Sequence, residues 1–365
     1  MAPLRERHLK SGFESAPSLK GQDFSRAAFT AKLTGPSGPE ASTPKSLVDS
    51  LLFFRMVQTV ALSPRIPLLL FLFIGLAIHL AAQDDKPLRL DVKLVNIFVN
   101  VTDKSGAIVG GLTEDDFKVT EDNRPQKIVH FERQSEMPLN LTLAIDASSS
   151  TYKDRIIEQQ AAKKFVHAMM RPQDQMSVLE FDTFVTELAG FTNKVALVDR
   201  GLERMKGAGG TALYDAIYLG SKSLGKKDGR KILVLITDGG DTVKGYSYEE
   251  ALEEALRNEV MIYSIIDVPI EASAGRDIGG EHALIQLSQD TGGKHFYVDA
   301  GGLDKAFAQV SADLRTQYLI GYYPRNQEPG KAFHRIEVTV PRAAAESFNI
   351  RHKTGYYAEP QKARD

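Results

Sequence analysis

The chain has 365 residues, of which 42% are hydrophobic and 25% charged, a composition typical of globular proteins and a length sufficient for two domains. The formal net charge of −2 and the lack of a basic stripe interleaved with aromatic residues argue against a nucleic-acid partner. Because the sequence contains no cysteine, disulfides, thiolate metal sites, thiol nucleophiles and a lipid-anchored cysteine are excluded.

The first 83 residues read as two segments that precede the folded protein. Residues 1–55 mix proline, glycine, serine and charged residues without periodicity, which predicts a disordered leader or sequence upstream of a true start at Met56. Residues 56–83 carry an arginine, then an apolar run from Ile66 to Leu80, then two alanines. This is the pattern of a secretory signal peptide over 56–82, so we expect a secreted, periplasmic or cell-envelope protein.

The apolar run of the signal peptide is shorter than the roughly 20 residues that a membrane-spanning helix takes. We therefore expect no stable membrane span once the signal peptide is cleaved. An uncleaved membrane anchor is the alternative interpretation of the same segment.

Two β-rich segments flank the middle of the chain. Residues 86–135 predict a small antiparallel β module, because LRLDVKLVNIFVNVTD alternates apolar and polar residues and EDNRP reads as a turn between later strands. Residues 317–365 predict a C-terminal β extension with three strand candidates, in QYLIGYYP, FHRIEVTVP and FNIRHKTGYYA. Since both segments border the same region, we expect them to pack together as one module.

Residues 136–316 alternate strands and helices. LNLTLAID and RKILVLITD are continuous apolar runs of the kind found in buried parallel strands, and YKDRIIEQQAAKKFVHAMM has helical spacing of its apolar residues. Strands that alternate with helices of this length predict an α/β fold with a doubly wound, mostly parallel sheet and helices on both faces.

Polar residues follow the predicted buried strands where a ligand would bind. LNLTLAID ends at Asp146 and RKILVLITD ends at Asp238, and ligands of doubly wound sheets bind at the carboxyl ends of the strands. The glycine loop GAGGT brings Thr211 to the same expected edge. Together with Ser148 and Ser150 these side chains offer only oxygen ligands, which suits a hard cation such as Mg²⁺ or Mn²⁺.

The segments DASSS, GGT and TDG, in this order, resemble the metal-ion-dependent adhesion site of von Willebrand factor type A domains. The family pattern of Asp-x-Ser-x-Ser, a distant Thr and a distant Asp before Gly matches Asp146, Ser148, Ser150, Thr211 and Asp238. The residue between the two serines, often glycine in that family, is a serine here. The resemblance covers roughly 138–316, and the flanking β segments resemble the secreted von Willebrand A-related proteins of Acidobacteria.

Each of these pieces also has an ordinary structural interpretation. An aspartate or serine at a strand end often caps the following helix, and a glycine turn is common before one. Three other carboxylates near the predicted site, those of Asp182, Asp215 and Asp241, are expected to serve the turns and helix starts around it. The alternatives are a contact between Asp182 and the direct ligands of the cation, and an outer-sphere contact through water for Asp241.

The sequence leaves three functions open. The leading hypothesis is a secreted, non-enzymatic adhesion-type module, in which a divalent cation captures an acidic group of a protein or another anionic partner. The second is a Mg²⁺-dependent hydrolase with Asp146 as nucleophile, although no histidine, lysine or second catalytic carboxylate is placed convincingly beside it. The third is a structural or assembly protein in which the metal site only stabilises the fold.

Overall fold

A computed structural model of the chain describes residues 93–133, 136–267, 277–298, 302–325, 331–341 and 348–358. The chain divides into two compact units at Pro87 and Leu88, and all of the described residues belong to the second unit. The predicted leader and signal peptide over 1–83 therefore lie outside the described residues. Within these ranges, no helix combines the length and the hydropathy that a bilayer crossing requires.

The described residues form fourteen strands, six α-helices and one short 3-10 helix, Glu114–Asp116. The first strands are β1 (Val95–Thr102), β2 (Lys118–Glu121), β3 (Arg124–Gln126) and β4 (Ile128–Arg133). Then follow β5 (Leu139–Asp146), α1 (Arg155–Met169), β6 (Gln175–Phe181), β7 (Val185–Thr192), α2 (Val195–Leu202), α3 (Leu213–Leu224), β8 (Arg230–Thr237), α4 (Tyr248–Arg257), β9 (Val260–Asp267), α5 (Ile278–Asp290), β10 (His295–Val298) and α6 (Leu303–Arg315). The chain ends with β11 (Tyr318–Tyr322), β12 (Phe333–Thr339), β13 (Asn349–Arg351) and β14 (Gly355–Tyr357).

A mixed sheet forms the centre of the α/β region. Its order over the described residues is β10-β9-β8-β5-β6-β7, with every pair parallel except the hairpin of β6 and β7. All eight residues of β5 are buried, as expected for a strand covered on both faces. The predicted doubly wound, mostly parallel sheet is therefore confirmed.

Helices cover both faces of this sheet and create two separate apolar layers. One layer packs α1, α2 and α6 against one face, where the rings of Phe165 and Phe307 stack with centroids 4.4 Å apart. The other layer packs α3, α4 and α5 against the opposite face, around residues such as Ile217 and Leu284. Because side chains of a strand alternate between the faces, each buried strand contributes to both layers.

The flanking β segments combine into two further antiparallel sheets, each of four strands in the described ranges. One has the order β13-β1-β11-β4 and the other β14-β12-β2-β3, so C-terminal strands lie between or beside N-terminal ones. A shared apolar core, which includes Ile97, Val119 and Tyr322, lies between them. The expectation that the two segments pack as one module is confirmed.

The third C-terminal strand candidate differs from the prediction, because it contains two short strands, β13 and β14, that belong to different sheets. Between them the backbone is held against the end of α5, where Thr354 N donates to Asp290 O at 2.9 Å and Lys353 forms a β-bridge with Thr291. These long-range contacts lie where the chain passes from one sheet to the other, and the strand-forming residues of the segment do not reveal them.

Buried polar contacts attach the β module to the α/β region. Arg351 donates to both carboxylate oxygens of Asp313 at 2.9 and 2.7 Å, and Tyr263 donates to the same carboxylate at 2.9 Å. The side chain of Asn100 donates to Asp313 and accepts from Gln317 at 2.7 Å. The end of α6, β1, β9 and β13 are thus joined at the amino edge of the central sheet.

Candidate metal centre

The predicted site lies at the carboxyl ends of two adjacent strands. β5 and β8 are parallel neighbours with Ile145 opposite Ile236, so the register places Asp146 beside Thr237. Asp238 is the next residue after Thr237. The hydroxyl of Thr237 donates to Asp146 Oδ2 at 2.6 Å. This threonine was not predicted as a site residue, although its place immediately before Asp238 in the strand pattern is a signal that was available.

The serine loop after β5 connects the two aspartates. Ser148 N donates to Asp146 Oδ1 at 2.9 Å, which turns the loop back over the strand end. The hydroxyls of Ser148 and Ser150 lie 3.0 Å apart, and Ser150 Oγ donates to Asp238 Oδ1 at 3.0 Å. A continuous series of hydrogen bonds therefore brings together four of the five predicted side chains.

The fifth predicted residue, Thr211, reaches the same edge through its loop. Ser149 faces that loop, where its amide donates to Gly209 O at 3.2 Å and its hydroxyl accepts from Gly209 N at 3.0 Å. Thr211 N donates to Thr242 Oγ1 at 2.7 Å, and Thr242 N returns a bond to Thr211 O at 2.9 Å. In the described ranges no direct hydrogen bond links the Thr211 side chain to the other four.

The loop before Thr211 depends on glycine at specific positions. Gly209 has a φ of +127°, and a Cβ placed there would lie 2.5 Å from Thr183 Oγ1. A Cβ at Gly207 would lie 2.6 Å from the Cβ of Ala147, because this loop packs directly against the serine loop. Glycine thus permits the close approach that places Thr211 beside the two strand ends.

The electrostatics of the site are those of acids buried without enough positive charge. Burial raises the pKa of Asp146 to about 6, against the opposing effect of its hydrogen bonds from Thr237 and Ser148. Burial also raises the pKa of Asp238, with its bond from Ser150 acting in the opposite direction. A cation at this place would offset the cost of keeping both carboxylates charged.

Glu158, in the first turn of α1, was not singled out from the sequence. Its side chain is buried, and neither carboxylate oxygen has a hydrogen-bond partner among the described residues. Burial, followed by the charges of Asp267 and Asp146 and then two further aspartates, raises its pKa to about 8. The helical spacing that predicts α1 places Glu158 on the buried face, one turn before Ala161 and Ala162.

The three other carboxylates near the site all support the surrounding backbone. Asp182 accepts from Phe184 N and from Ala208 N, each at 2.9 Å, and so holds the glycine loop. Asp215 accepts from Tyr246 N at 2.7 Å, and Asp241 accepts from Tyr214 N at 3.1 Å in the first turn of α3. These contacts agree with the structural interpretation of all three residues.

The donor set fits a hard divalent cation. The side chains offer two carboxylates and three hydroxyls, with no sulfur or imidazole among them. Mg²⁺ and Mn²⁺ prefer oxygen ligands and retain water in several positions, so such a set can hold the ion and leave a position open for another oxygen. The raised pKa of the two aspartates gives the same indication, since binding of a cation would reverse it.

A second group of possible metal ligands lies in the β module, where ligand atoms of Glu121, Asp122 and His334 fall within 4.8 Å of one another. His334 Nδ1 lies 2.8 Å from Asp122 Oδ2, and Lys331 pairs with the other oxygen of Asp122 at 2.7 Å. Glu121 Oε2 accepts from Tyr322 at 2.6 Å. The ligand atoms of this group thus already have partners within the protein, and we interpret the group as an internal polar cluster.

Comparison with known proteins identifies the α/β region. The family model described as von Willebrand factor type A domain matches residues 141–240, a range that contains all five predicted site residues. Inter-alpha-trypsin inhibitor heavy chain H2 from Mus musculus is 24% identical over 218 residues, which cover 53% of this chain and 22% of that protein. The same protein from Mesocricetus auratus is 27% identical over 219 residues, with the same coverage of 53% and 22%. The match therefore spans about a fifth of the length of these relatives.

Among solved structures, the von Willebrand factor type A protein from Catenulispora acidiphila is 10% identical, with a TM-score of 0.44, over 69% of this chain and 71% of that one. Proximal thread matrix protein 1 from the mussel byssus, with a zinc-occupied MIDAS motif, is 16% identical, with a TM-score of 0.42, over 52% of this chain and 48% of that one. Such similarity is low, and the assignment depends on the family model and on the strand order. The α/β region thus contains a segment, residues 141–240, that matches the von Willebrand factor type A domain.

Proposed function

We propose that this protein binds a protein partner through a divalent cation held by Asp146, Ser148, Ser150, Thr211 and Asp238. The observation that carries the proposal is the series of hydrogen bonds that joins Asp146, Ser148, Ser150 and Asp238 at one sheet edge. When bound, the ion supplies an electrophilic position that attracts an anionic oxygen, such as the carboxylate of a partner's Asp or Glu.

The residues of the site have distinct roles in this proposal. Asp146 and Asp238 supply the negative charge, while the hydroxyls of Ser148, Ser150 and Thr211 supply neutral oxygens. Thr237 orients Asp146 through its 2.6 Å hydrogen bond. Because the hydroxyl ligands are neutral, the ion keeps its attraction for an external carboxylate.

Exposed apolar side chains favour a protein as the partner. The four most exposed large apolar side chains of the described residues all lie on segments at this edge of the sheet: Phe184, Tyr152, Ile156 and Ile278, with exposed fractions between 61% and 74%. The next, Tyr323 in the β module, is 49% exposed. Apolar side chains around a charged centre are typical of protein interfaces, in which buried anchors supply affinity and charge supplies specificity.

Specific contacts tie these apolar residues to the site. Tyr152 directly follows the serine loop, and Ile156 lies in the first turn of α1. Phe184 lies in the β6–β7 hairpin, whose Asp182 holds the glycine loop at Ala208. Ile278 follows Asp277, which accepts from Gly240 N at 3.1 Å, close to Asp238.

We infer a binding role in preference to hydrolysis. Within the described residues, the Asp146 carboxylate accepts hydrogen bonds from Thr237 and Ser148, and no lysine or imidazole bonds to it to act as a base. We also infer export by the predicted signal peptide at 56–83. In this proposal the mature protein contains the von Willebrand factor type A domain at 136–316 and one β module from residues 86–135 and 317–365.

Titration of the metal-free protein with Mn²⁺ tests the site. We expect one ion per chain for the wild type and a loss of at least about tenfold in affinity for Asp238→Asn and Ser150→Ala. Asp103→Asn, in an exposed turn of the β module, is the matched control and should bind as the wild type does. Equal Mn²⁺ affinity of Asp238→Asn and wild type would refute the proposed ligand set.

A second experiment tests the partner. Wild-type protein, immobilised in Mg²⁺, should retain an envelope protein that EDTA elutes, whereas Asp238→Asn should retain none. Phe184→Ser should weaken retention without changing Mn²⁺ affinity, and Tyr323→Ser is the control for an exposed aromatic residue remote from the site. Retention that persists in excess EDTA would contradict capture through a metal ion.

A further inference from the structure

A cleft lies at the opposite end of the central sheet from the metal centre. It is lined by β1, by the first residues of β8 and β9, and by the segment after β13. Phe98, Ile232 and Met261 give it an apolar lining. The eight residues of β8 separate it from Asp238 by roughly 26 Å, at about 3.3 Å per residue.

The charges that line the cleft are mainly positive. Arg230, Lys231 and Lys353 lie in its wall together with a single carboxylate, that of Glu259. Lys353 forms an ion pair with Glu259, with 3.3 Å between Nζ and Oε1. Burial would raise the pKa of Glu259, but the charge of Lys353 outweighs other contributions in lowering it. Lys93 adds a fourth positive charge near the same carboxylate. The cations that line the cleft therefore outnumber its one carboxylate, while Asp174 and Asp228 act on Arg230 and Lys231 from outside the lining.

Among the cations of the cleft, Arg230 is the buried one with an unpaired hydrogen-bond donor in the described residues. It is only 6% exposed, and its guanidinium lies over the ring of Phe98 with 5.0 Å between the guanidinium carbon and the ring centroid. One terminal nitrogen donates to Gln317 Oε1, whereas Nε is buried and has no hydrogen-bond partner in the described residues. A buried guanidinium is costly unless an anion faces it, and its planar donors match a carboxylate.

Lys231, the neighbour of Arg230, has spare donor capacity as well. Its ammonium group has three N–H donors, and one of them donates to Asn258 O at 3.1 Å. The described residues provide no other hydrogen bond to this group. Burial, together with the charges of Lys93 and Lys353, lowers its pKa, while Glu259 opposes that shift. An anion in the cleft would relieve the repulsion among these cations.

We propose that this cleft binds a small organic carboxylate, with its oxygens at Arg230 and Lys231 and a short apolar tail against Phe98 and Met261. The unpartnered Nε of the buried Arg230 points to an anion, and the apolar lining points to a hydrocarbon tail. Inorganic phosphate meets the first requirement but leaves the apolar lining uncovered. The site uses none of the residues of the metal centre, so it stands or falls independently of the proposed adhesion function.

Hexanoate is a suitable probe, with hexanol and inorganic phosphate as the comparisons. By calorimetry in EDTA, hexanoate should bind at one site per chain, at least about tenfold more tightly than either comparison compound, since hexanol lacks the charge-assisted hydrogen bonds and phosphate lacks the apolar tail. Lys231→Met should weaken hexanoate binding by about tenfold or more. Lys226→Met, an exposed residue of the loop before β8, is the matched control and should leave it unchanged.

Acetylation of the wild type provides a readout that needs no variant. Hexanoate should protect Lys231 from acetylation by an activated acetate ester and leave Lys226 unprotected. Asp146→Ala should show the same protection, which separates this site from the metal centre. Equal binding of hexanol, preferential binding of phosphate, or unchanged acetylation of Lys231 would each overturn the proposal.

Discussion

Replacement of Glu158 by Gln tests the electrostatics beneath the metal centre most directly. Glutamine has nearly the same shape as protonated glutamic acid, but it cannot ionise. Glu158 is buried with both oxygens unpartnered, and its pKa is raised from 4.5 to about 8. The folded protein therefore retains a proton on this side chain over a pH range in which the unfolded chain releases it.

The sign of the effect follows from proton linkage. Below pH 4.5 the side chain is protonated in both states, and the wild type and Glu158→Gln should be equally stable. Between pH 4.5 and 8 only the unfolded wild type ionises, which lowers its free energy of unfolding by about 1.4 kcal/mol per pH unit. The variant should therefore be more stable by about 3 kcal/mol at pH 7 and by up to about 5 kcal/mol above pH 8.

Chemical denaturation of EDTA-treated protein between pH 4 and 9 measures this difference. Glu249→Gln, on the exposed surface of α4, is the control and should follow the wild type within about 0.5 kcal/mol. In Mg²⁺ the difference at pH 8 should shrink, because the positive charge of a bound ion favours the ionised form of Glu158. A difference between Glu158→Gln and wild type that stays constant from pH 5 to 8 would refute the reasoning.

Two further predictions concern the metal centre itself. Gly209→Ala should weaken Mn²⁺ binding and lower the unfolding free energy by at least about 1 kcal/mol, because an L-residue is strained at a φ of +127° and its Cβ would meet Thr183. Calorimetry measures the first effect and chemical denaturation the second. A variant identical to the wild type in both measurements would contradict the role of that loop. The affinity for Mn²⁺ should fall as the pH drops through about 6, because a proton on Asp146 competes with the ion. Titrations with Mn²⁺ from pH 5 to 8 measure this dependence, and Asp146→Asn should lose most of it.

Local patterns were sufficient to predict the α/β architecture. The continuous apolar runs of β5 and β8 and the helical spacing in α1 each have a characteristic period, which reflects how many faces of the element are buried. Connection rules then require parallel strands with helices on both faces, and they bring Asp146 and Asp238 to the same edge. For this reason the fold class, and the expectation that the candidate ligands group at one sheet edge, could be predicted from the sequence.

The packing around those ligands was not accessible in the same way. Thr237 interacts with Asp146 because of the register between β5 and β8, and Glu158 lacks a partner because of what surrounds it in three dimensions. A glutamate in the first turn of a helix ordinarily interacts with the helix dipole in solvent. Only the closure of α1 over the sheet edge turns it into a buried acid.

The sequence by itself determined the order of strands and helices, the oxygen donors at two strand ends and the glycines of the loop before Thr211, because each of these depends on periodicity or backbone geometry within a few residues. The tertiary structure decided the division of the last β segment between two sheets, the burial of Glu158 and the meeting of Arg230, Lys231 and Lys353 in one cleft. Those features arise from contacts between residues that are distant in the sequence, such as Lys353 with Glu259, which are 94 positions apart, and Arg230 with Phe98, which are 132 positions apart. Such contacts exist only once the whole chain has packed, since burial and charge pairing are properties of the assembled core.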